Sequence, residues 1–157
     1  MIRKFIAFSL LLVISISCTQ EDVVDYGPID KKIIETYLTD HSLTAQFTAS
    51  GLYYIIENPG GTNHPNINSK VSVNYQGFLT TGTMFDSYYV KGQPYTNALS
   101  SLVLGWQEGL PLIGVGGKIK LFVPSSLGYG SNEIISNYAT IPANSVLIFN
   151  IELVEFY

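Results

Sequence analysis

The fold is decided by the stretch KVSVNYQG at residues 70–77, in which Val71, Val73 and Tyr75 alternate with polar residues. A period of two places these side chains on one face of a β-strand. The same period returns over residues 146–156, where the apolar positions on one face are Leu147, Phe149, Ile151 and Leu153. Both segments therefore predict long strands with one buried face.

Shorter signals surround these two strands. They predict strands over residues 52–56 and 118–123, a hairpin-like turn at residues 80–83 and a helix over residues 102–110. Helix and strands together predict an α+β domain over residues 48–157. We expect a curved antiparallel sheet of about five strands wrapped on one short α-helix, with a concavity between them.

Residues 1–18 have the composition of a bacterial export signal. Arg3 and Lys4 precede a short apolar run that ends before a serine and Cys18. The run is shorter than the about 20 residues that a membrane-spanning helix needs. A small residue directly before a cysteine resembles a bacterial lipoprotein cleavage site. This resemblance implies a signal peptide over residues 1–17 and acyl chains, palmitate among them, on Cys18.

A lipid on Cys18 implies a location in the bacterial cell envelope. The chain would be anchored at the outer membrane, on its periplasmic or surface face, because two or more acyl chains give stable binding. The acidic residues just after the cysteine are similar to export signals of surface lipoproteins in Bacteroidetes-type bacteria. Ordinary secretion with an incidental cysteine is the alternative.

Residues 18–47 are predicted to form a lipidated tether and a short helix. The tether ends at Gly27 and Pro28, and Asp30 is placed to cap a helix that runs to about Asp40. The apolar stripe of this helix consists of Ile33, Ile34, Tyr37 and Leu38. It either packs on the domain or mediates dimerisation. Because the helix is short, we favour packing and expect a monomer.

Composition argues against several classes of function. The formal charge is −4 and there is no basic run, which disfavours nucleic acid as a partner. One cysteine cannot form an internal disulfide, and the two histidines have no carboxylate at ligand spacing, so we expect no metal. Motifs for a nucleophile, a phosphate loop or a dinucleotide are missing. We therefore expect no cofactor and no acid–base hydrolase.

Five short segments combine aromatic residues with glycines or residues typical of turns and strands. They are VSVNYQG at 71–77, FDS at 85–87, GWQEG at 105–109, GYG at 128–130 and IFNIEL at 148–153. Taken in this order, they resemble the FKBP-type peptidyl-prolyl cis-trans isomerases. The resemblance covers about residues 50–157 and implies the fold and the activity of that family.

The resemblance also implies a site with aromatic walls and a few polar groups. Trp106 would form the floor, and Asp86 would be a carboxylate at the buried edge that polarises the site or orients its neighbours. The Tyr129 hydroxyl would bond a ligand carbonyl, and the backbone N–H of Val103 would donate to the substrate. The catalytic set is then Tyr75, Phe85, Asp86, Trp106, Tyr129 and Phe149, and the substrate-binding set is Tyr95, Leu102, Val103 and Ile141.

Such a pocket suits the isomerisation of an X-Pro peptide bond. Rotating the amide breaks its resonance against a barrier of about 18–20 kcal/mol. The twisted amide is less polar than the planar one, so a dry aromatic pocket stabilises it relative to the hydrated ground state. The resemblance thus implies an isomerase that assists the folding of envelope or exported proteins, with X-Pro segments of polypeptides as its substrates.

Two departures from the family pattern support an alternative function. Asn97 stands where the family often has a second phenylalanine, and the flap over residues 131–140 is a few residues longer than in small members. Both features suit a catalytically weak binding or chaperone module at the cell surface. The rest of the aromatic set is intact, so we favour the isomerase.

The lipid anchor is tested by the substitution Cys18→Ser. We expect the wild-type chain in the membrane fraction and the variant in the soluble fraction, because the variant has no thiol to acylate. Fractionation and metabolic labelling with a palmitate analogue measure this. Cys18 is the only cysteine, so the label reports on one position. Unchanged membrane fractionation of the variant rejects lipidation.

Overall fold

The structure, a computed structural model, describes residues 24–89, 93–136 and 138–157. The predicted signal peptide and Cys18 lie outside this part of the chain. In chain order the elements are α1 (Gly27–Asp40), β1 (Gln46–Phe47), β2 (Tyr53–Asn58), β3 (Lys70–Leu79), β4 (Met84–Ser87), β5 (Tyr95–Ala98), α2 (Leu104–Gly109), β6 (Lys118–Val123), β7 (Ile134–Ile135), β8 (Thr140–Ile141) and β9 (Leu147–Phe156). Short 3-10 turns lie at Leu99–Ser101, Leu110–Leu112 and Ser125–Leu127.

The main sheet is antiparallel, in the order β1-β2-β6-β9-β3-β4, and β5 also pairs with β3. The α+β prediction is therefore confirmed. The sheet has seven strands rather than about five, because β1 and β5, which are two and four residues long, were not predicted. Strands this short carry too few positions to show a period of two. A separate hairpin of β7 and β8 lies in the predicted flap.

α2 lies directly on β6 because two of its residues lack side chains. A Cβ on Gly105 would lie 2.7 Å from Cγ1 of Val123, and a Cβ on Gly109 would lie 2.7 Å from Cδ2 of Leu121. The two glycines are four residues apart and share one helix face. Trp106, beside Gly105, is buried in the core between α2 and the sheet.

A second core lies on the opposite face of the sheet, under α1. Ile34 and Leu38 of the helix pack there with Tyr53, Phe122 and Ile148 of the strands. The expectation that α1 packs on the domain is thus confirmed. Only part of the predicted stripe is buried, since Ile33 points outward and is 37 % exposed.

The start of α1 corrects two predictions. The helix begins at Gly27, so Gly27 and Pro28 open it rather than end a tether. Proline suits the first helical turn, where its missing N–H has no intrahelical partner to lose. Asp30 is therefore inside the first turn and does not cap the helix; instead its side chain is buried against Ser125. Within the described residues no helix is long and apolar enough to span a bilayer.

The second core is tested by Ile34→Ala. Ile34 is 1 % exposed, so we expect the free energy of unfolding to fall by about 2–4 kcal/mol, the usual cost of truncating a buried isoleucine. Chemical denaturation measures the change. The matched control is Ile33→Ala on the exposed side of the same turn, expected to stay within about 0.5 kcal/mol of wild type. Equal losses in both variants would show that α1 does not dock as described.

Candidate active site

A cavity of about 330 Å³ opens on the concave side of the sheet, between β3, β4 and the start of α2. Every predicted site residue except Ile141 lines this cavity. Its lining consists of Tyr75, Phe85, Asp86, Tyr88, Tyr95, Ser101, Leu102, Val103, Trp106, Tyr129 and Phe149. Residues that are up to 74 positions apart, Tyr75 and Phe149, are thus brought to one hollow.

The walls and floor of the cavity are aromatic rings packed edge to face. The Trp106 ring lies 4.9 Å from that of Tyr75 and 5.2 Å from that of Phe149, at interplanar angles of 83° and 88°. Phe85 meets Phe149 at 5.6 Å and 86°. This geometry places the positive edge of one ring on the negative face of the next, and it holds the walls rigid.

The polar edge of the cavity is organised by Asp86. Its Oδ2 accepts a hydrogen bond from the Tyr75 hydroxyl, and its Oδ1 accepts one from the backbone N–H of Ser87 at 2.8 Å. Both carboxyl oxygens are engaged, so the side chain has a fixed orientation. Burial, the hydrogen bond to Asp86 and the charge of Asp86 together raise the pKa of Tyr75 far above its ordinary value. Tyr75 therefore keeps its proton and acts as a donor.

Tyr129 supplies a second hydroxyl to the cavity. Burial, and after it the charge of Asp86, raises the pKa of Tyr129. The Tyr129 side chain lines the cavity, where the buried Nε1 of Trp106 also has no hydrogen-bond partner among the described residues. The Tyr129 hydroxyl is thus available to donate to a bound molecule.

Asn97 is held by hydrogen bonds at the edge of the cavity, next to Tyr95. Its Nδ2 donates to the Tyr95 hydroxyl at 2.9 Å, and its Oδ1 accepts from the backbone N–H of Ala98 at 2.8 Å. The Tyr95 ring in turn meets the ring of Tyr75 edge-on at 5.8 Å. The residue that departs from the family pattern therefore braces one of the predicted substrate contacts.

Ile141 is the predicted site residue that the structure does not bring to the cavity. It pairs with Ile134 in the flap hairpin and is 2 % exposed within the core. The pairing turns its side chain into the core, so in this conformation it offers no surface to a substrate. This placement corrects its assignment to substrate binding.

Tyr88 and Ser101 line the cavity and were missed in the sequence. Tyr88 stacks on Tyr75 at 5.5 Å and meets Tyr95 edge-on at 5.0 Å. It follows the last residue of β4, so no strand periodicity indicated where its ring would lie. Its nearness to Phe85 and Asp86 in the sequence was the available signal. Ser101 ends a 3-10 turn and carried no signal at all.

The arrangement is suited to binding a flat apolar ring and holding its polar neighbours. Seven aromatic side chains supply the surface, and tyrosine hydroxyls supply donors at the edge. Among the described residues there is no cluster of three or more histidine, cysteine or acidic side chains that could hold a metal ion.

Comparison with known proteins agrees with this geometry. The family model described as FKBP-type peptidyl-prolyl cis-trans isomerase matches residues 61–154. FkpA of Buchnera aphidicola subsp. Schizaphis graminum is 52% identical over 109 residues, 69% of this chain and 42% of that protein. FkpA of Escherichia coli strain K12 is 35% identical over 136 residues, 87% of this chain and 48% of that protein.

Solved structures show the same fold. The crystal structure of FkpA from Escherichia coli has a TM-score of 0.71 at 35% identity, covering 80% of this chain and 57% of that one. A peptidyl-prolyl cis-trans isomerase from Pseudomonas syringae pv. tomato has a TM-score of 0.67 at 26% identity, covering 87% of this chain and 98% of that one.

The chain belongs to the FKBP-type peptidyl-prolyl cis-trans isomerase family, as its ordered motifs predicted. It spans less than half the length of the FkpA proteins it matches, at 42% and 48%. The match alone therefore does not assign the activities of those longer proteins to this chain.

The shape of the cavity is tested by Gly77→Ala. A Cβ at this position would lie 2.5 Å and 2.6 Å from Cε2 and Cζ of Phe85 and 3.1 Å from Cε1 of Phe149. The rings are buried and cannot move aside freely, so we expect a loss of about 1–3 kcal/mol in stability and weaker ligand binding. Denaturation and fluorescence of the single tryptophan measure both effects.

The matched control is Gly61→Ala, where the nearest atoms lie at an ordinary 3.7 Å and 3.8 Å. It should leave stability and tryptophan emission close to wild type. An unchanged Gly77→Ala protein would mean that Phe85 does not pack over this glycine.

Proposed function

We propose that this chain is an active peptidyl-prolyl cis-trans isomerase that binds X-Pro segments in the aromatic cavity. The observation that carries the proposal is the single hollow shared by Tyr75, Phe85, Trp106 and Phe149, with Asp86 and Tyr129 at its edge. A proline ring is flat-sided and apolar, and walls of this kind bind it at low entropic cost.

Catalysis follows from binding the twisted amide better than the planar one. The planar amide is polar and well hydrated, and transfer to a ring-lined cavity removes that hydration. The twisted amide has lost resonance and is less polar, so it loses less on entering the cavity. No proton needs to move between enzyme and substrate, and no cofactor is required.

Hydrogen bonds at the edge hold the peptide on either side of the proline. The Tyr129 hydroxyl would donate to a substrate carbonyl. The backbone N–H of Val103, the residue before the first turn of α2 and part of the cavity lining, would donate to a second peptide group. Asp86 holds the Tyr75 hydroxyl, and so it fixes the wall against which the proline ring rests.

The cellular role we propose is assistance to the folding of envelope or exported proteins. It rests on the predicted export signal and on Cys18, through which a lipid would hold the domain at the outer membrane. The clients would be unfolded segments that contain X-Pro bonds, which isomerise slowly unaided. A monomer suits this role, since α1 packs Ile34 and Leu38 on its own domain.

The alternative, a catalytically weak binding module, rests on Asn97 and on the longer flap. The hydrogen bond from Asn97 to the Tyr95 hydroxyl weakens the first of these arguments, because it holds the neighbouring aromatic side chain in place. The flap residues still differ from those of small family members. They bear on which peptides bind rather than on whether the cavity exists.

The proposal is tested by an isomerisation assay on a short X-Pro peptide with the full chain. We expect Tyr75→Phe and Asp86→Asn each to lower kcat/KM about three- to tenfold, because each removes a hydrogen bond worth about 0.5–1.5 kcal/mol. Trp106→Ala should abolish most of the activity and also cost about 3–5 kcal/mol of stability.

The matched control is Tyr54→Phe, which also removes a tyrosine hydroxyl bond, here to Gln46 at 2.8 Å and outside the cavity. Its kcat/KM should equal that of wild type. Wild-type turnover no faster than the uncatalysed reaction would leave the binding module as the function. A bell-shaped pH profile near neutrality would indicate a proton transfer that this mechanism lacks.

A further inference from the structure

Asp30 of α1 is the buried charged side chain in the described part of the chain, at 1 % exposure. Its Oδ2 accepts two hydrogen bonds from Ser125, one from the backbone N–H at 2.8 Å and one from the hydroxyl at 2.6 Å. Its Oδ1 is buried with no partner among the described residues. The group lies on the helix that packs outside the sheet, away from the aromatic cavity.

Docking of α1 does not account for a carboxyl group at this position. Ile34 and Leu38 already bury the helix in the second core. A carboxyl oxygen buried without a partner opposes that docking, since its lost hydration is not replaced. An apolar side chain would attach the helix at lower cost. The carboxyl group is therefore better explained by what it does to Ser125.

Ser125 is the first residue of the turn that carries Tyr129. Its carbonyl oxygen accepts the backbone N–H of Gly128 at 3.0 Å and that of Gly130 at 2.9 Å. These two bonds bracket Tyr129 on both sides. The far side of the turn is held as well, because the backbone N–H of Asn144 donates to the carbonyl of Gly130 at 2.7 Å.

A continuous chain of hydrogen bonds thus runs from α1 to the cavity. Asp30 holds the N–H and the hydroxyl of Ser125, and the carbonyl of Ser125 holds both neighbours of Tyr129. Each step of the chain is a buried or backbone contact with little freedom. The position of the Tyr129 hydroxyl therefore depends on this turn.

We propose that Asp30 is a positioning residue for the isomerase reaction, acting through Ser125 to place the Tyr129 hydroxyl in the cavity. The proposal rests on the proposed function, since Tyr129 matters for rate only if the cavity isomerises X-Pro bonds. It makes the N-terminal helix part of the working enzyme rather than an appendage to it.

The test is a double-mutant cycle on kcat/KM, with Asp30→Ala, Tyr129→Phe and the combined variant in the full chain. We expect Asp30→Ala to lower kcat/KM about three- to tenfold when Tyr129 is present, the range expected for one hydrogen bond to substrate. In the Tyr129→Phe background the same change should have less than about a twofold effect, since residues that act in series are not additive. Equal effects in both backgrounds would overturn the proposal.

Two further variants separate positioning from stability. Ser125→Ala removes only the hydroxyl bond to Asp30, so it keeps the test open if Asp30→Ala folds poorly, and it should show the same non-additivity with a smaller effect. Ile34→Ala weakens the docking of α1 without touching Ser125. At a temperature where every variant is folded, it should leave kcat/KM unchanged.

A readout that needs no activity distinguishes this proposal from the proposed function. In protein labelled with 3-fluorotyrosine, the ¹⁹F resonance of Tyr129 is assigned by its loss in Tyr129→Phe. We expect it to shift in Asp30→Ala and in Ser125→Ala but not in Ile34→Ala. An inactive wild type with these shifts would refute the isomerase and keep the positioning of Tyr129. An unmoved resonance would refute the positioning itself.

Discussion

The close approach of α2 to β6 is the constraint on which the rest of the site depends. Gly105 and Gly109 remove the side chains that would separate helix and sheet, so Val123 and Leu121 meet the helix backbone directly. Trp106 is then the first large side chain beside this contact, and it becomes the floor on which the other rings pack. A bulkier helix face would lift the floor and leave the cavity without a base. The close packing of the α2 backbone on β6 thus sets the position of the rings that line the cavity.

The sheet is buried on both faces, and this explains its sequence. β6 and β9 send one set of side chains to the core under α2 and the alternate set to the core under α1. Phe122 and Ile148 belong to the α1 side, whereas Leu121 and Phe149 belong to the α2 side. Where the strands are buried on both faces, at residues 121–123 and 147–149, the sequence is a short apolar run, whereas farther along β9 it alternates. α1 therefore covers the apolar side chains on the outer face of β6 and β9, the strands whose inner face contributes to the site.

The long strands, the internal helix and most of the cavity lining could be predicted from the sequence, because their apolar periods and ordered motifs are local signals. The start of α1 could not. Gly27 and Pro28 serve equally well at the end of a loop and in a first helical turn, so the local sequence does not decide between them. The positions of Tyr88 and Ile141 could not be predicted for a similar reason. Tyr88 is placed by its ring contact with Tyr75 and Ile141 by its pairing with Ile134, and both contacts form only when the chain folds.

The electrostatics of the cavity favour binding over proton transfer. Burial and the charge of Asp86 raise the pKa values of Tyr75 and Tyr129, so both phenols keep their protons at neutral pH. The folded-state pKa values of the two tyrosines lie above the ordinary value of about 10. Their contribution to the free energy of unfolding is therefore fully present below about pH 10 and is lost only as the pH rises beyond it. Over the physiological range the two hydroxyls are permanent donors. Neither phenol therefore changes its protonation over this range to drive a reaction. Under the proposed function, these two donors and the aromatic walls would offer an X-Pro bond a surface on which the twisted amide is the better fit.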